Sequence, residues 1–189
     1  MPVWLIVILV IVGIIVLFGA IIAGMYNSLV KLNERVEEAW SDITIQLKRR
    51  ADMLPNLVET VKGYAKHEKE VFEHCADARA KMMGARTVQS VADADRSMLG
   101  ALSRIMAVAE NYPALQANDN FKKLMSEISD TEDKVSASRR FYNAGAKDLN
   151  TKIKVFPFNI LFHSFKIREY YNVDEKEFER VEKAPEVKF

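Results

Sequence analysis

No charged side chain occurs between Met1 and Met25. From Trp4 onward this stretch is almost entirely Leu, Ile, Val, Gly, Ala and Phe. About 20 such residues span a bilayer core as a helix, because only a helix satisfies every backbone polar group without water. A cleaved signal peptide is the competing reading. It fits poorly, since no Lys or Arg precedes the run and the run exceeds the usual ~7–15-residue apolar core of a signal peptide. No small-x-small cleavage site comes after it either. Residues 1–25 are therefore expected to be an uncleaved membrane anchor in contact with lipid. Trp4 and Tyr26 stand at its two ends, where interfacial aromatics belong. No basic residue precedes the anchor, whereas Lys31, Arg35, Lys48, Arg49 and Arg50 come after it. The positive-inside rule then places the N-terminus outside and the rest in the cytoplasm, across the cell's inner (plasma) membrane.

Beyond the anchor the chain reads as helical. Tyr26, Leu29, Asn33, Val36, Trp40, Ile43, Leu47 and Arg50 succeed one another at alternating gaps of three and four. That is the packing seam of an amphipathic helix. No Pro or Gly run separates it from the anchor, so the membrane helix either continues into it or yields to a fresh helix capped by Asn27 or Ser28. Pro55 is expected to end this helix and open the next. The second helix is expected over 56–83, on a seam of Leu57, Val61, Tyr64, Glu68, Val71, Cys75, Ala78 and Met82, with Gly63 a weak point inside it and Gly84 a candidate C-cap. A connector is expected at 87–90. A third helix is expected over 91–111, stopped before Pro113, then a loop over 114–120 capped by Asn118 or Asp119. A long fourth helix is expected over 120–150. Ser129, Ser136, Ser138, Ala144, Gly145 and Ala146 make one of its flanks unusually small, which permits close helix approach. A shorter helix over 159–171 and a charged tail over 173–189 complete the chain.

Seven Gly and five Pro among 189 residues, with helix formers dominant, favour an all-α class. The expected architecture is an N-terminal transmembrane helix followed by an antiparallel bundle of about four long helices plus a short C-terminal one, the bundle occupying 26–172. The net charge of +1 provides no field to attract nucleic acid. The lone Cys75 excludes an internal disulfide framework, and its seam position suits a small buried apolar residue better than a nucleophile.

The pattern Asn33…Val36…Ala39-Trp40…Ile43…Leu47-x-Arg49-Arg50-x-Asp52-x-x-Pro55-Asn56-Leu57…Val61…Tyr64…His67-Glu68 resembles the LemA family of bacterial membrane-anchored helical proteins. Arg139-x-x-Tyr142-Asn143…Phe156-Pro157 and the closing Val187-Lys188-Phe189 resemble it too. The resemblance implies a helical bundle with an N-terminal anchor. It implies no catalytic residues, cofactor or metal.

Three features bear on function. Asn33, Arg50 and Glu68 are polar positions on stripes expected to face a core, and a buried polar group needs a partner. A buried network and a second-subunit interface explain them equally. His67, Glu70 and His74 share a helix face, but the two histidines are about 10 Å apart along the axis and no Glu-x-x-His occurs. A solvated charged face explains them better than a metal site. The segment 156–165 carries Phe156, Phe158, Ile160, Leu161, Phe162 and Phe165 among flanking Lys152, Lys154, Lys166 and Arg168. In an antiparallel bundle it falls near the bilayer. It then lies on the headgroup layer, packs on the anchor or a neighbouring subunit, or closes the bundle core.

No nucleotide loop, triad or CxxC pattern points to an enzyme. The function expected is a non-enzymatic scaffold that forms a homo-oligomer or docks a membrane-protein partner, without nucleic acid. The alternative, resting on family association alone, is a regulatory adaptor in envelope stress acting with a membrane protease.

Overall fold

A computed structural model describes residues 2–172 of the chain. Every regular element among them is helical: α1 Val3–Lys62, α2 Lys69–Gly84, α3 Val88–Glu110, α4 Pro113–Ala117, α5 Asp119–Lys154 and α6 Phe158–Leu161. The class is all-α, as expected. The tail expected over 173–189 lies outside the described residues.

α1 is a single helix of 60 residues, on the order of 90 Å along its axis. The apolar stretch continues into the seam without a break, so neither Asn27 nor Ser28 caps a new helix. Its first part is long and apolar enough to cross a membrane, and that window buries nothing. Full burial begins at Leu29 and recurs at Val36, Ile43, Leu47 and Arg50, all at most 1% exposed.

Pro55 does not end α1, contrary to the expectation. A proline inside a helix removes one hydrogen bond and costs about 3 kcal/mol. Here its ring is on the exposed side. The opposite side continues the seam through Leu54, Leu57 and Val61, each at most 1% exposed. Burying three such side chains contributes about 1.5–3 kcal/mol apiece, which outweighs the proline. The helix ends instead at Lys62, immediately before Gly63, the weak point of the expected second helix. The second helix accordingly starts at Lys69, and Glu68 falls in the connection before it, half-buried and off any helical seam.

Residues 87–90 are not a connector. Thr87 is the N-cap of α3: its hydroxyl accepts from the Ser90 amide at 3.1 Å, and the Ser90 hydroxyl accepts from the Thr87 amide at 2.9 Å. The loop expected over 114–120 contains the short α4, opened by Pro113 at its first turn. Asn118 does cap α5, its Oδ1 accepting from the Phe121 amide at 2.9 Å. The helix expected over 159–171 shrinks to the four residues of α6, after which the chain is extended and irregular.

Two compact units result. Among the described residues, one comprises 2–38 with 141–169, and the other 39–140 with 170–172. In the first, α1 and the end of α5 run antiparallel: Ser28 meets Lys152, and Val36 meets Gly145. Gly145 permits that approach, since a Cβ placed there would sit 3.2 Å from Val36 Cγ2. In the second, α1, α2, α3 and α5 surround a core that includes Ile43, Leu47, Leu57, Met98, Ile105 and Val135.

Candidate functional site

The second unit is centred on a charge. Arg50, completely buried, extends from the C-terminal part of α1. Its Nη1 donates to Asp95 Oδ1 on α3 at 2.8 Å, its Nη2 to Glu132 on α5, and its Nε to Thr131 Oγ1 at 3.4 Å. Thr131 in turn donates to the Ile128 carbonyl at 2.7 Å. Tyr171, 1% exposed, closes the centre by donating its phenol to Asp95 Oδ2 at 3.0 Å and setting its ring 6.4 Å from that of Trp40. Burial raises the Asp95 carboxyl above the usual carboxylate range, while Arg50 and the Tyr171 hydroxyl hold that rise back. Burial and the adjacent carboxylate push the Tyr171 phenol far above its ordinary value. All three guanidinium nitrogens are engaged within the chain, so the centre joins three helices and the 170–172 segment rather than presenting a reactive group.

The first unit carries its own polar lock. Asn150, 4% exposed near the end of α5, uses both ends of its amide on the backbone of Arg168: Nδ2 donates to the Arg168 carbonyl at 2.9 Å and Oδ1 accepts from the Arg168 amide at 2.8 Å. The Arg168 side chain donates through Nη2 to Asn33 Oδ1 at 2.8 Å and to Glu37. The Tyr142 phenol donates to the Glu169 carbonyl at 2.9 Å. Backbone groups of a strip of chain without helical hydrogen bonds are thereby satisfied by side chains of α5, while α1 holds the Arg168 side chain.

The same unit holds the aromatic segment. The Tyr26 ring lies 5.9 Å from both Phe162 and Phe165, and Phe158 lies 5.9 Å from Phe162. Lys152 Nζ stands 5.1 Å over the Phe158 ring and donates to Ser28 Oγ. The six apolar candidates thus divide. Phe162 is buried, Phe158 and Phe165 are half-buried, and Phe156, Ile160 and Leu161 face outward.

The polar candidates also separate. Arg50 enters the buried centre, Asn33 binds Arg168, and Glu68 joins neither. Asp95, Tyr171 and Asn150 were not singled out from the sequence, and Arg168 only as a basic residue flanking the aromatic segment. Asp95 was the findable one, as a carboxylate one residue after Ala94 on an otherwise apolar stripe of α3. On α2, Glu70 Oε1 lies 3.6 Å from His74 Nε2 and 3.6 Å from Arg104 Nη1, an ion-paired face. Among the described residues no three His, Cys, Asp or Glu side chains gather closely enough to hold a metal. Cys75 is 1% exposed, and burial pushes its thiol up to about 11, which suppresses the reactive thiolate.

Comparison with known proteins agrees with this architecture. Magnetosome protein MamQ 2 of Paramagnetospirillum magneticum is 28% identical over 185 residues, covering 83% of this chain and 68% of that protein. MamQ of Magnetospirillum gryphiswaldense is 27% identical over 175 residues, covering 78% and 64%. Protein LemA of Metamycoplasma hominis is 26% identical over 167 residues, covering 88% and 76%. None of these names is that of an enzyme. The long apolar start of α1 and the packed helices behind it are those of a membrane-associated helical protein. The LemA family profile matches residues 39–189, from the start of the second unit through its buried arginine centre and beyond, and the chain belongs to the LemA family.

Proposed function

We propose that this protein is a non-enzymatic scaffold, held by a single membrane pass, that self-assembles or docks a membrane-protein partner at the bacterial inner membrane. The observation that carries the reading is the continuity of α1. One helix supplies both the unpacked apolar stretch and the seam around which the core is built. Partners gripped by the helical unit are therefore tethered to the bilayer without a flexible linker. The inward chemistry supports the same reading, because the buried ionisable groups satisfy one another. Outward, the helix faces carry solvated charge pairs such as Lys62 with Glu59 and Lys134 with Asp130. The basic residues on the C-terminal side of the apolar stretch support a cytoplasmic helical unit with the N-terminus outside.

The test is the mass of the full-length protein in mild detergent, by light scattering with the detergent contribution subtracted. A discrete oligomer, or a stoichiometric complex with a membrane protein, is the expected result. A monomer that crosslinks to no partner in cells would overturn the scaffold. Orientation is tested separately. A cysteine introduced by Pro2→Cys into a Cys75→Ala background should react with an impermeant maleimide in intact spheroplasts, and one at Lys123→Cys only after lysis.

A further inference from the structure

The first unit leaves an apolar surface that nothing among the described residues covers. Phe156 is 77% exposed, Ile160 61%, Ile167 59%, Leu161 46% and Val155 45%. Each would lower its free energy by leaving water, on the order of 25 cal/mol per Å² of apolar surface. The location of this surface identifies what covers it. The segment bearing it is fastened to one turn of α1 by the Tyr26 contacts with Phe162 and Phe165 and by the bond from Lys152 to Ser28. That turn is where the uncharged stretch ends: Ala23, Gly24 and Met25 precede it, and Lys31 is the first charge after it. At 1.5 Å per residue, Tyr26 stands about 6 Å above Ile22 along the helix axis. A helix that crosses a bilayer up to Met25 therefore carries this patch to the depth of the headgroups, where interfacial segments lie with their apolar faces about 5–10 Å into the headgroup–acyl boundary. The basic groups around it, Lys152, Lys154 and Lys166, suit phosphate headgroups. The buried side of the segment is an aromatic clamp and its outer side is aliphatic and aromatic, the two-sided character of an interfacial anchor.

We propose that residues 155–167 form a membrane foot: the clamp of Tyr26, Phe158, Phe162 and Phe165 holds the segment, and Phe156, Ile160 and Leu161 insert into the headgroup layer of the same bilayer that α1 crosses. The foot rests on the reading of α1 as a membrane span. It adds a second lipid contact to the first, fixing the depth and tilt at which the helix leaves the membrane.

The experiment uses the full-length chain carrying Cys75→Ala, reconstituted in vesicles of equal parts phosphatidylcholine and phosphatidylglycerol. Single cysteines introduced at Phe156→Cys, Ile160→Cys, Phe141→Cys and Ile11→Cys each carry an environment-sensitive fluorophore. Phe141 is the matched control: it is 75% exposed in the same unit but lies 15 residues before Phe156. The foot predicts blue-shifted emission at 156 and 160 and several-fold stronger quenching there than at 141 by lipids labelled with nitroxide near the headgroup. Labels at 156 and 160 that are as open to aqueous iodide as the label at 141 would overturn it. So would labels shielded from both quenchers that crosslink to a second copy, which would make the patch a subunit interface. The label at 11, read with lipids that carry the nitroxide deep on the acyl chain, separates the two readings. If it is quenched by lipid while 156 and 160 are not, the foot fails and the span stands. If it is not quenched, the span itself fails.

Discussion

Arg50 shows how a single buried charge organises its surroundings. It contacts Asp95, 45 residues away, and Thr131 and Glu132, 81 and 82 residues away. Replacing it by Met leaves Asp95 buried without a counter-charge, and removal of one partner of such a pair costs about 3–5 kcal/mol. The double replacement Arg50→Met with Asp95→Leu should recover most of that loss, because matched apolar side chains restore packing without stranded charge. Urea midpoints of the single and double variants measure the difference. The sequence marked Arg50 through its seam position but could not name its partners, since periodicity reports which face turns inward and nothing of what it meets there. Glu68 failed for a related reason: its seam assumed a helix through Gly63, where the chain in fact leaves the helix. Cys75 provides a pH-dependent counterpart. Its folded thiol is raised from 9.0 to about 11, so at pH 8 the folded protein should react with a thiol reagent about 100-fold more slowly than the unfolded chain. The same shift sets the sign for stability. The unfolded thiol ionises first, so its contribution is intact below pH 9 and falls as pH rises from 9 to 11, and the stability of wild type relative to Cys75→Ala should fall over that window.

The interiors of the helices were far more legible than their ends. Leu29, Val36, Ile43 and Leu47 are buried where the alternating spacing put them, because burial of an apolar stripe is what the spacing encodes. Ends depend on competing local terms. At Pro55 the lost hydrogen bond yielded to burial of Leu54, Leu57 and Val61, and at Thr87 a reciprocal cap began α3 within residues read as connector. The short C-terminal helix was misread because an aromatic-rich stretch resembles a helix stripe, whereas its backbone beyond α6 is held by the side chains of Asn150 and Tyr142. On the small flank of α5, Gly145 lies close against Val36 of α1. Gly145→Val should therefore destabilise by about 1–3 kcal/mol through overpacking against Val36, despite the better helix propensity of the new residue. Adding Val36→Ala should return part of that loss. Thermal melts by circular dichroism distinguish this from a simple propensity effect, which the second substitution would not reverse.

Across the whole molecule, the division of labour is between surface that meets lipid and surface that meets protein. Among the described residues, none of 3–22 is buried. A variant lacking residues 2–22 should keep its helical fold, with an unfolding free energy within about 0.5 kcal/mol of the parent, while losing its partition into the membrane fraction. A large loss of helicity instead would mean that the stretch packs on the rest of the chain. The absence of a linker after Met25 has a further result, which concerns helical phase. In a continuous helix, position along the chain is also an angle: each added residue turns everything beyond it by about 100°. The face that the apolar stretch presents at any depth is therefore set in azimuth relative to Leu29 and Val36. Inserting two alanines after Ala23 rotates that face by about 200°, whereas inserting seven restores it to within about 20°. A span surrounded only by fluid lipid is cylindrically indifferent and tolerates both insertions equally. A span that meets other spans in a defined assembly tolerates the seven and not the two, so the oligomer would behave as a compass for which side of the helix, if any, has a neighbour.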